Sequence, residues 1–133
     1  MKKTLIALIL LSITSLTYAK GKTFDLKIDL NIDNQHIFSP NLIVKEGEAA
    51  YAVSEIGTEK TFIEVQSSEQ KLPNGKSGIF MSFIVGKIAA DGTKDIISKP
   101  EILAYENKKA QIFIGQKENA KDLSLSVIAK KIT

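Results

Sequence analysis

Ser98–Gly115 reads SKPEILAYENKKAQIFIG, and a fainter copy of this stretch lies sixty positions earlier in the chain. The copy, Ser39–Val53, reads SPNLIVKEGEAAYAV. In both stretches a proline, Pro40 or Pro100, opens an apolar segment, at the position in a strand where a missing amide hydrogen matters least. The sequence therefore predicts one β motif that the chain uses twice, and this repeat decides the fold.

Each copy of the motif contains two apolar segments joined by a short polar turn. Gly47 lies in one turn and Asn107 in the other, and both residue types tolerate a positive φ well. We expect each copy to form a β-hairpin, pairing Leu42–Lys45 with Ala49–Ser54 and Ile102–Tyr105 with Lys109–Ile114. The chain would then consist of two similar halves, about residues 22–68 and 79–130.

The segments outside the motif also have the patterns of strands and turns. Phe24–Asp33 alternates strictly between apolar and polar residues, which predicts a β-strand with one buried and one solvated face. Asn34–Ser39 is predicted to be a loop. Ile79–Ala89 is apolar on both faces, which predicts a central strand covered on both sides, and Gly86 within it is expected to mark a β-bulge. Leu72–Gly78 is rich in turn residues and joins the halves.

These segments add up to about seven to nine short strands separated by turn signals. We therefore predict an all-β fold, either an antiparallel β-sandwich or a partly closed barrel, built from two similar halves. The alternative for Leu103–Lys121 is a helix, because several of its residues are tolerable helix formers. The β-branched and aromatic residues of Ile112–Ile114 favour a strand instead.

The N-terminus has the features of a secretory signal peptide. Met1–Lys3 is basic, Thr4–Leu16 is apolar, and Thr17–Ala19 offers small residues at the two positions that a signal peptidase reads. The apolar run is shorter than the roughly 20 residues that span a bilayer, and a retained membrane anchor is the alternative. We predict that residues 1–19 are cleaved. Residues 20–133 would form a single soluble β domain, periplasmic or secreted, without an integral membrane span.

The charge of the chain disfavours one class of partner. The sequence carries 18 lysines, no arginine and 15 acidic residues, for a formal net charge of +3. Loss of Lys2 and Lys3 with the signal peptide would leave 16 lysines against 15 acidic residues, a net charge of +1. Without arginine, no side chain can grip phosphate in a bidentate manner, so nucleic acid is not an expected partner. The sequence has no cysteine, which excludes disulfides and thiolate metal sites.

Few residues suggest reaction chemistry. Asp29–Asn34 resembles the start of a calcium loop, but Asn34 stands where a glycine is needed and Pro40 where a glutamate is needed. His36 is the single histidine, and its neighbours form neither a nucleophile elbow nor an oxyanion glycine pair. We therefore predict a non-enzymatic protein without catalytic residues, cofactor or metal ion.

Aromatic and basic residues of the two motif copies are the candidates for partner binding. Aromatic side chains are favoured at the centres of protein interfaces. The candidates are Tyr51, Tyr105, Lys108 and Lys109. In the alternative interpretation, the aromatic residues belong to the core.

The second copy of the motif also resembles part of a known family. Pro100–Gly115 has a strand-opening proline, a Glu-Asn turn and an alanine-bearing strand that ends in glycine, and is similar to a segment of bacterial outer-membrane secretins. The resemblance covers 16 residues and implies a β-hairpin in a protein of the cell envelope. The ring domains and pore-lining strands of secretins have no counterpart in this sequence, so channel formation is not carried over.

Together, these observations predict a non-enzymatic periplasmic or secreted β domain that binds another envelope protein as an accessory, adaptor or inhibitor module. Two alternatives stay open at this point. One is a carrier that holds a small ligand or a glycan between its sheets, and the other is a hydrolase that uses scattered acidic residues. The oligomeric state is open as well.

Overall fold

The structure is a computed structural model that describes residues 21–115 and 122–132. The described residues form ten strands and no helix. The strands are β1 (Thr23–Ile32), β2 (Gln35–Phe38), β3 (Asn41–Lys45), β4 (Ala49–Ile56), β5 (Glu59–Lys71), β6 (Ser77–Ile88), β7 (Lys94–Ser98), β8 (Glu101–Tyr105), β9 (Lys109–Ile114) and β10 (Leu123–Lys131).

The ten strands form two antiparallel five-stranded sheets that pack face to face. In sheet I, β1 and β10 are central, β9 forms one edge, and β2 and β3 together form the other edge. In sheet II, β5 and β6 are central, β4 forms one edge, and β7 and β8 together form the other. The fold is a β-sandwich and not a closed barrel, so the predicted fold class is confirmed.

The predicted hairpins are wrong, because the two segments of each motif copy lie in different sheets. β3 pairs with β1 in sheet I, whereas β4 pairs with β5 in sheet II, and β8 and β9 are divided between the sheets in the same way. The contradicted pairings are those of Leu42–Lys45 with Ala49–Ser54 and of Ile102–Tyr105 with Lys109–Ile114. Each motif copy is a corner between the sheets. Hairpins and corners share the same polar–apolar alternation, so the pattern does not distinguish them.

Backbone hydrogen bonds hold both corners in the same way. The Gly47 amide donates to the Ser67 carbonyl at 3.0 Å, and the Asn107 amide donates to the Ala129 carbonyl at 2.8 Å. Both turn residues have a positive φ, 82° at Gly47 and 65° at Asn107, in agreement with the expectation from their residue types. These bonds attach the first corner to β5 and the second corner to β10.

A glutamate side chain adds a second bond at each corner. The Glu46 carboxylate accepts a hydrogen bond from the Glu69 amide at 2.8 Å. The Glu106 carboxylate accepts one from the Lys131 amide at 3.0 Å. Hydrogen bonds to an ionised group are stronger than bonds between neutral groups. The two glutamates that align in the motif therefore tie each corner to the end of the same strand that the turn amide contacts.

The core lies between the sheets and contains side chains from both. The alternating apolar residues of β1 are all buried: Phe24, Leu26, Ile28, Leu30 and Ile32. They belong to one cluster with buried residues of sheet II, among them Ile63, Val65, Ile79, Met81, Phe83 and Val85. Within the described residues, this cluster contains no ionisable side chain, so burial of apolar surface is its main source of stability.

One predicted connection between strands is wrong, and the structure adds detail to another. The predicted loop Asn34–Ser39 is wrong, because Gln35–Phe38 forms the short edge strand β2. The turn before it consists of Asp33 and Asn34, which have positive φ values of 52° and 65°. Leu72–Gly78 connects β5 to β6, which pair along their whole length in sheet II, so it joins the two halves as the turn of a long hairpin.

The remaining predictions concern residues that lie partly or wholly outside the described ranges. The helix weighed for Leu103–Lys121 is wrong for its described part, which forms the end of β8 and all of β9; residues 116–121 lie outside the described residues. The predicted signal peptide, residues 1–19, also lies outside them. Across the part of the chain that the structure describes, there is no helix with the length and apolar character needed to cross a membrane.

Gly86 lies where the register between β6 and β7 shifts, as its position in the predicted central strand suggested. A Cβ atom at Gly86 would collide with the Asp95 carbonyl oxygen and lie 2.7 Å from the Phe62 ring. The backbone of β7 and the ring of Phe62 therefore occupy the space that any side chain at this position would need.

We expect Gly86→Ala to lower the free energy of unfolding by about 2–3 kcal/mol, because overpacking against backbone atoms forces the strands apart. Equilibrium unfolding in urea measures this change. Gly115→Ala is the control, since its added Cβ would approach the Phe113 ring only to 3.4 Å, and it should change stability by less than about 1 kcal/mol. Equal losses in the two variants would contradict the close approach at Gly86.

Candidate functional site

The outer faces of the two sheets differ in chemistry. On the central strands of sheet I, the outward positions are polar or charged apart from Ile128: Asp25, Lys27, Asp29, Asn31, Ser124, Ser126 and Lys130. On sheet II, many outward positions are aromatic or aliphatic: Tyr51, Val53, Phe62, Phe80, Ile84, Ile96, Leu103 and Tyr105. We call the outer surface of sheet II, defined by these eight residues, face II.

Face II presents a large share of its apolar side chains to solvent. Five of its residues are between 43% and 49% exposed: Tyr51, Val53, Ile96, Leu103 and Tyr105. Single exposed apolar residues are ordinary on a protein surface, whereas a group of them on one face is typical of an interaction site. Face II is therefore the strongest candidate for a functional surface among the described residues.

The pairing register divides face II into two apolar patches. The first, which we call the Tyr51 patch, contains Tyr51, Val53, Phe62, Ile84 and Ile96. The second, the Tyr105 patch, contains Phe80, Leu103 and Tyr105. A polar row of Gln66, Ser82 and Glu101 crosses the sheet between the patches.

The Tyr51 patch is organised around two stacked rings. The Tyr51 and Phe62 rings have centroids 5.7 Å apart and planes inclined by 28°. The Lys94 ammonium lies 4.7 Å from the Tyr51 centroid and 5.2 Å from the Phe62 centroid, within the range of a cation–π contact. Because Gly86 has no side chain, the Phe62 ring packs closely against the backbone of β6 at this position. Contacts with Phe62 and Lys94 hold the Tyr51 ring in place while it stays half-exposed.

The Tyr105 patch ends at a depression of about 410 Å³ beside the second corner. Its lining residues are Lys76, Ser77, Tyr105, Glu106 and Lys108. The Tyr105 hydroxyl accepts a hydrogen bond from the Asn74 side-chain amide at 3.3 Å. Two lysines and a tyrosine thus line this depression at one end of face II. The Glu106 carboxylate, which also lines it, already accepts a hydrogen bond from the Lys131 amide.

The structure brings the predicted binding residues together only in part. Tyr51 and Tyr105 both lie on face II, but at opposite edges and in rows that are six residues apart along β6, which is about 20 Å. Lys108 lies beside Tyr105. Lys109 belongs to β9 and pairs with Ile128 on the outer side of sheet I, so it is not part of face II. The four residues do not form one compact pocket.

Sequence reasoning missed several members of face II. Phe62 and Ile84 lie on the two central strands, and Leu103 alternates with buried residues of β8. The apolar residues on both faces of Ile79–Ala89 could have revealed these members. They predict a strand that is covered on both sides. In the structure, the outward side chains Phe80 and Ile84 are half-buried and contribute to face II instead.

A charged cluster lies near the Tyr105 patch, between the two corners. The Glu69 carboxylate contacts the Lys22 ammonium at 3.3 Å and the Lys131 ammonium at 3.2 Å. It also accepts a hydrogen bond from the Ser77 hydroxyl. The Ser77 bond and then the contact with Lys131 lower the pKa of Glu69 from 4.5 to about 2. The Glu69 side chain is 17% exposed, so this cluster acts in stability more than in binding.

Asp29, His36 and Ser39 come together on the outer side of sheet I, although the sequence placed His36 in a loop. The His36 Nε2 atom lies 2.9 Å from Asp29 Oδ1 and 2.8 Å from Ser39 Oγ. The Ser39 hydroxyl donates directly to Asp29 Oδ1 at 2.6 Å, and this bond lowers the pKa of Asp29. A catalytic triad needs the serine and the aspartate on different ring nitrogens. Here both contact Nε2, so the arrangement does not activate Ser39.

The described residues contain no group of three or more His, Cys, Asp or Glu side chains that could hold a metal ion. The Asp29–Asn34 segment suggested by the calcium-loop pattern is the end of β1 and its turn. No protein-family model matches the chain, and no curated protein or solved structure is similar to it. The β-hairpin that the resemblance of Pro100–Gly115 to a secretin segment implies is wrong, because β8 and β9 lie in different sheets. The envelope location that the resemblance implies stays a prediction.

We expect Glu69→Gln to reduce stability at pH 7 and to have little effect in acid. A carboxylate whose pKa is lower in the folded state than in the unfolded state stabilises the fold above the unfolded pKa, about 4.5, and loses this contribution as the pH falls through about 2. The contribution is at most about 3 kcal/mol, and screening at the two partly exposed lysines reduces it to about 1–2 kcal/mol.

Urea unfolding of wild type and Glu69→Gln between pH 2 and pH 7 measures this difference. It should shrink steadily below about pH 4.5. Glu48→Gln, which removes an exposed carboxylate from the first corner, is the matched control and should show no comparable trend. A Glu69→Gln difference that is the same at every pH would contradict the role of the ion pairs.

Proposed function

We propose that this chain is a non-enzymatic protein of the cell envelope, periplasmic or secreted, that binds another envelope protein through face II. The observation that carries this proposal is the contrast between the two sheets. On its two central strands, sheet I covers its outer face with aspartate, lysine, asparagine and serine, and its exposed apolar residues Ile43, Phe113 and Ile128 stand in three different rows. Sheet II exposes five large apolar side chains on one surface.

The composition of face II suits a protein partner. Tyrosine and other aromatic residues are enriched at protein interfaces because they bury a large area with few rotatable bonds. Tyr51 already contacts the Phe62 ring and the Lys94 ammonium, so ordering it on binding would cost little conformational entropy. The two patches and the polar row between them provide apolar anchors flanked by hydrogen-bonding groups, which is the usual anatomy of an interface.

The distribution of charge also supports a protein partner. Lys94 borders the Tyr51 patch, and Lys76 and Lys108 border the Tyr105 patch. Charged residues at the rim of an interface influence the rate and specificity of association more than its affinity. The lysines would favour a partner with acidic groups around an apolar surface.

A role without catalysis is supported by the polar groups that the structure brings together. Ser39 donates to a carboxylate instead of to a histidine that could take its proton. Glu69 has a low pKa because of its lysines and Ser77, which suits an ion pair and not a general acid near neutral pH. Neither arrangement supports the hydrolase alternative.

Location in the envelope is supported by the sequence. The basic, apolar and small-residue segments of residues 1–19 favour export. The similarity of Pro100–Gly115 to a secretin segment favours the same compartment. The structure changes the expected mode of binding. The two motif copies are corners between the sheets, so they contain no hairpin that a partner could bind.

The carrier alternative receives no support from the interior. Its ligand would lie between the sheets, where buried apolar side chains from both sheets form one cluster and are at most 7% exposed. The depression at the Tyr105 patch lies at the surface, beside a corner. An accessory, adaptor or inhibitor module that acts through its surface is therefore the better interpretation.

A photoreactive amino acid at position 103 in the protein expressed in its source cells tests the proposal. We expect it to crosslink to one specific envelope protein, because Leu103 lies in the Tyr105 patch and is 44% exposed. The same probe at position 113 is the control, since Phe113 is 63% exposed but lies on sheet I. Equal yields of the same product from both positions, or no product from position 103, would contradict binding through face II.

Affinity measurements with the crosslinked protein then test the contribution of single side chains. Tyr105→Ser should weaken binding by about 10-fold or more, as loss of an aromatic anchor does at other interfaces. Phe113→Ser should leave the affinity within about 2-fold. Similar losses in both variants would indicate a general effect on the fold and not a contact of face II.

A further inference from the structure

β4 differs from the other edges of the sandwich. It has eight residues, and among the described strands it pairs only with β5. The edges formed by β2 with β3 and by β7 with β8 are each interrupted by a proline, Pro40 or Pro100. β9 is shorter, with six residues, and begins with Lys109. Proline, lysine and short length are the devices that prevent an edge strand from pairing with another strand.

The sequence of β4 contains few of these devices. Ala49–Ser54 has no charged residue and no proline, and three of its six residues are alanine. Small side chains allow a second backbone to approach closely. Glu48 and Glu55 bracket this uncharged stretch. The unpaired amides and carbonyls of β4 thus offer a continuous edge for strand addition.

The side chains of β4 are compatible with antiparallel pairing to an identical strand. The outward-facing residues are Tyr51, Val53 and Glu55, as their pairing with Glu64, Phe62 and Lys60 shows. A two-fold axis through Ala52 would place Tyr51 opposite Val53 of a second copy and Glu55 opposite Ala49. In this register, the residues that point outward in one copy pair with residues that point outward in the other copy. No two glutamates lie directly opposite each other.

Self-association would also cover apolar surface at this edge. Val53 is 45% exposed and Ile56 is 56% exposed. The formal net charge of +3 over the whole sequence is small, so repulsion between copies is weak. Pairing about a two-fold axis is closed and isologous, and it ends with two copies instead of a fibre.

We propose that the protein forms a homodimer in which β4 pairs antiparallel with β4 of a second copy. The two copies of sheet II join into one continuous sheet, with their face II surfaces on the same side. This proposal does not depend on the proposed function, since it uses the backbone edge of β4 and not the Tyr105 patch.

Sedimentation equilibrium of the mature protein tests the oligomeric state. We expect a reversible dimer for wild type. Val53→Lys should raise the dimer dissociation constant by at least about 10-fold, because it brings two lysines together near the axis. Leu103→Lys is the matched control, since Leu103 has similar exposure but lies at the opposite edge of sheet II, and its dissociation constant should equal that of wild type. A monomeric wild type, or a dimer that Val53→Lys does not weaken, would overturn the proposal.

A crosslinking experiment checks the geometry independently of affinity. The sequence has no cysteine, so Val53→Cys and Leu103→Cys each introduce a single thiol. A short bis-maleimide reagent should convert the Val53→Cys protein to a covalent dimer and leave the Leu103→Cys protein monomeric on a denaturing gel. Crosslinking through position 103 with none through position 53 would show a different dimer and would overturn pairing through β4. Circular dichroism of every variant confirms that the β fold is retained.

Discussion

The sandwich depends on the two corners, where a glutamate carboxylate accepts a hydrogen bond from the backbone of a central strand, β5 or β10, of the sheet that the chain enters there. Because the first corner sends β4 and β5 into sheet II, and the second sends β9 and β10 into sheet I, each sheet contains three strands from one half of the chain and two from the other. Neither half completes a sheet by itself. The pairing of β1 with β10 therefore joins two strands that lie almost at opposite ends of the described chain.

Local pattern predicted the strands well because a period of two is a property of each strand alone. It predicted the burial of β1, the positive φ at Gly47 and Asn107, and the irregularity at Gly86. It failed on the partners of the four strands in the two motif copies, since pairing depends on contacts between distant residues, and a corner keeps the same alternation as a hairpin. It also failed for Gln35–Phe38, because four residues are too few to show a period.

For the candidate site, residue type pointed to Tyr51 and Tyr105. Phe62 and Ile84 could not be assigned to an outer face until the register was known.

The two sheets have matching strand orders but different surfaces. β1 and β6 occupy corresponding central positions, each next to an edge made of two short strands. Yet β1 directs Asp25, Lys27 and Asp29 outward, whereas β6 directs Phe80, Ser82 and Ile84 outward. The corners keep their glutamate and their positive-φ residue in both copies. The chemical difference between the sheets thus lies in their outer faces, while the corners that build the fold are alike.

An apolar outer face has a physical disadvantage, because it promotes association with any other apolar surface. The central strands of sheet I carry mostly polar residues at the equivalent outward positions, so this architecture does not require exposed apolar side chains there. Their presence is best explained by a surface that becomes covered. The two proposed contacts can coexist, since strand pairing at β4 uses backbone groups at one edge of sheet II and the Tyr105 patch lies at the other edge, about 20 Å away along the strands. A two-fold axis perpendicular to the sheet would direct both copies of face II to the same side, and a partner with two equivalent sites would then bind with greater avidity than a single copy allows.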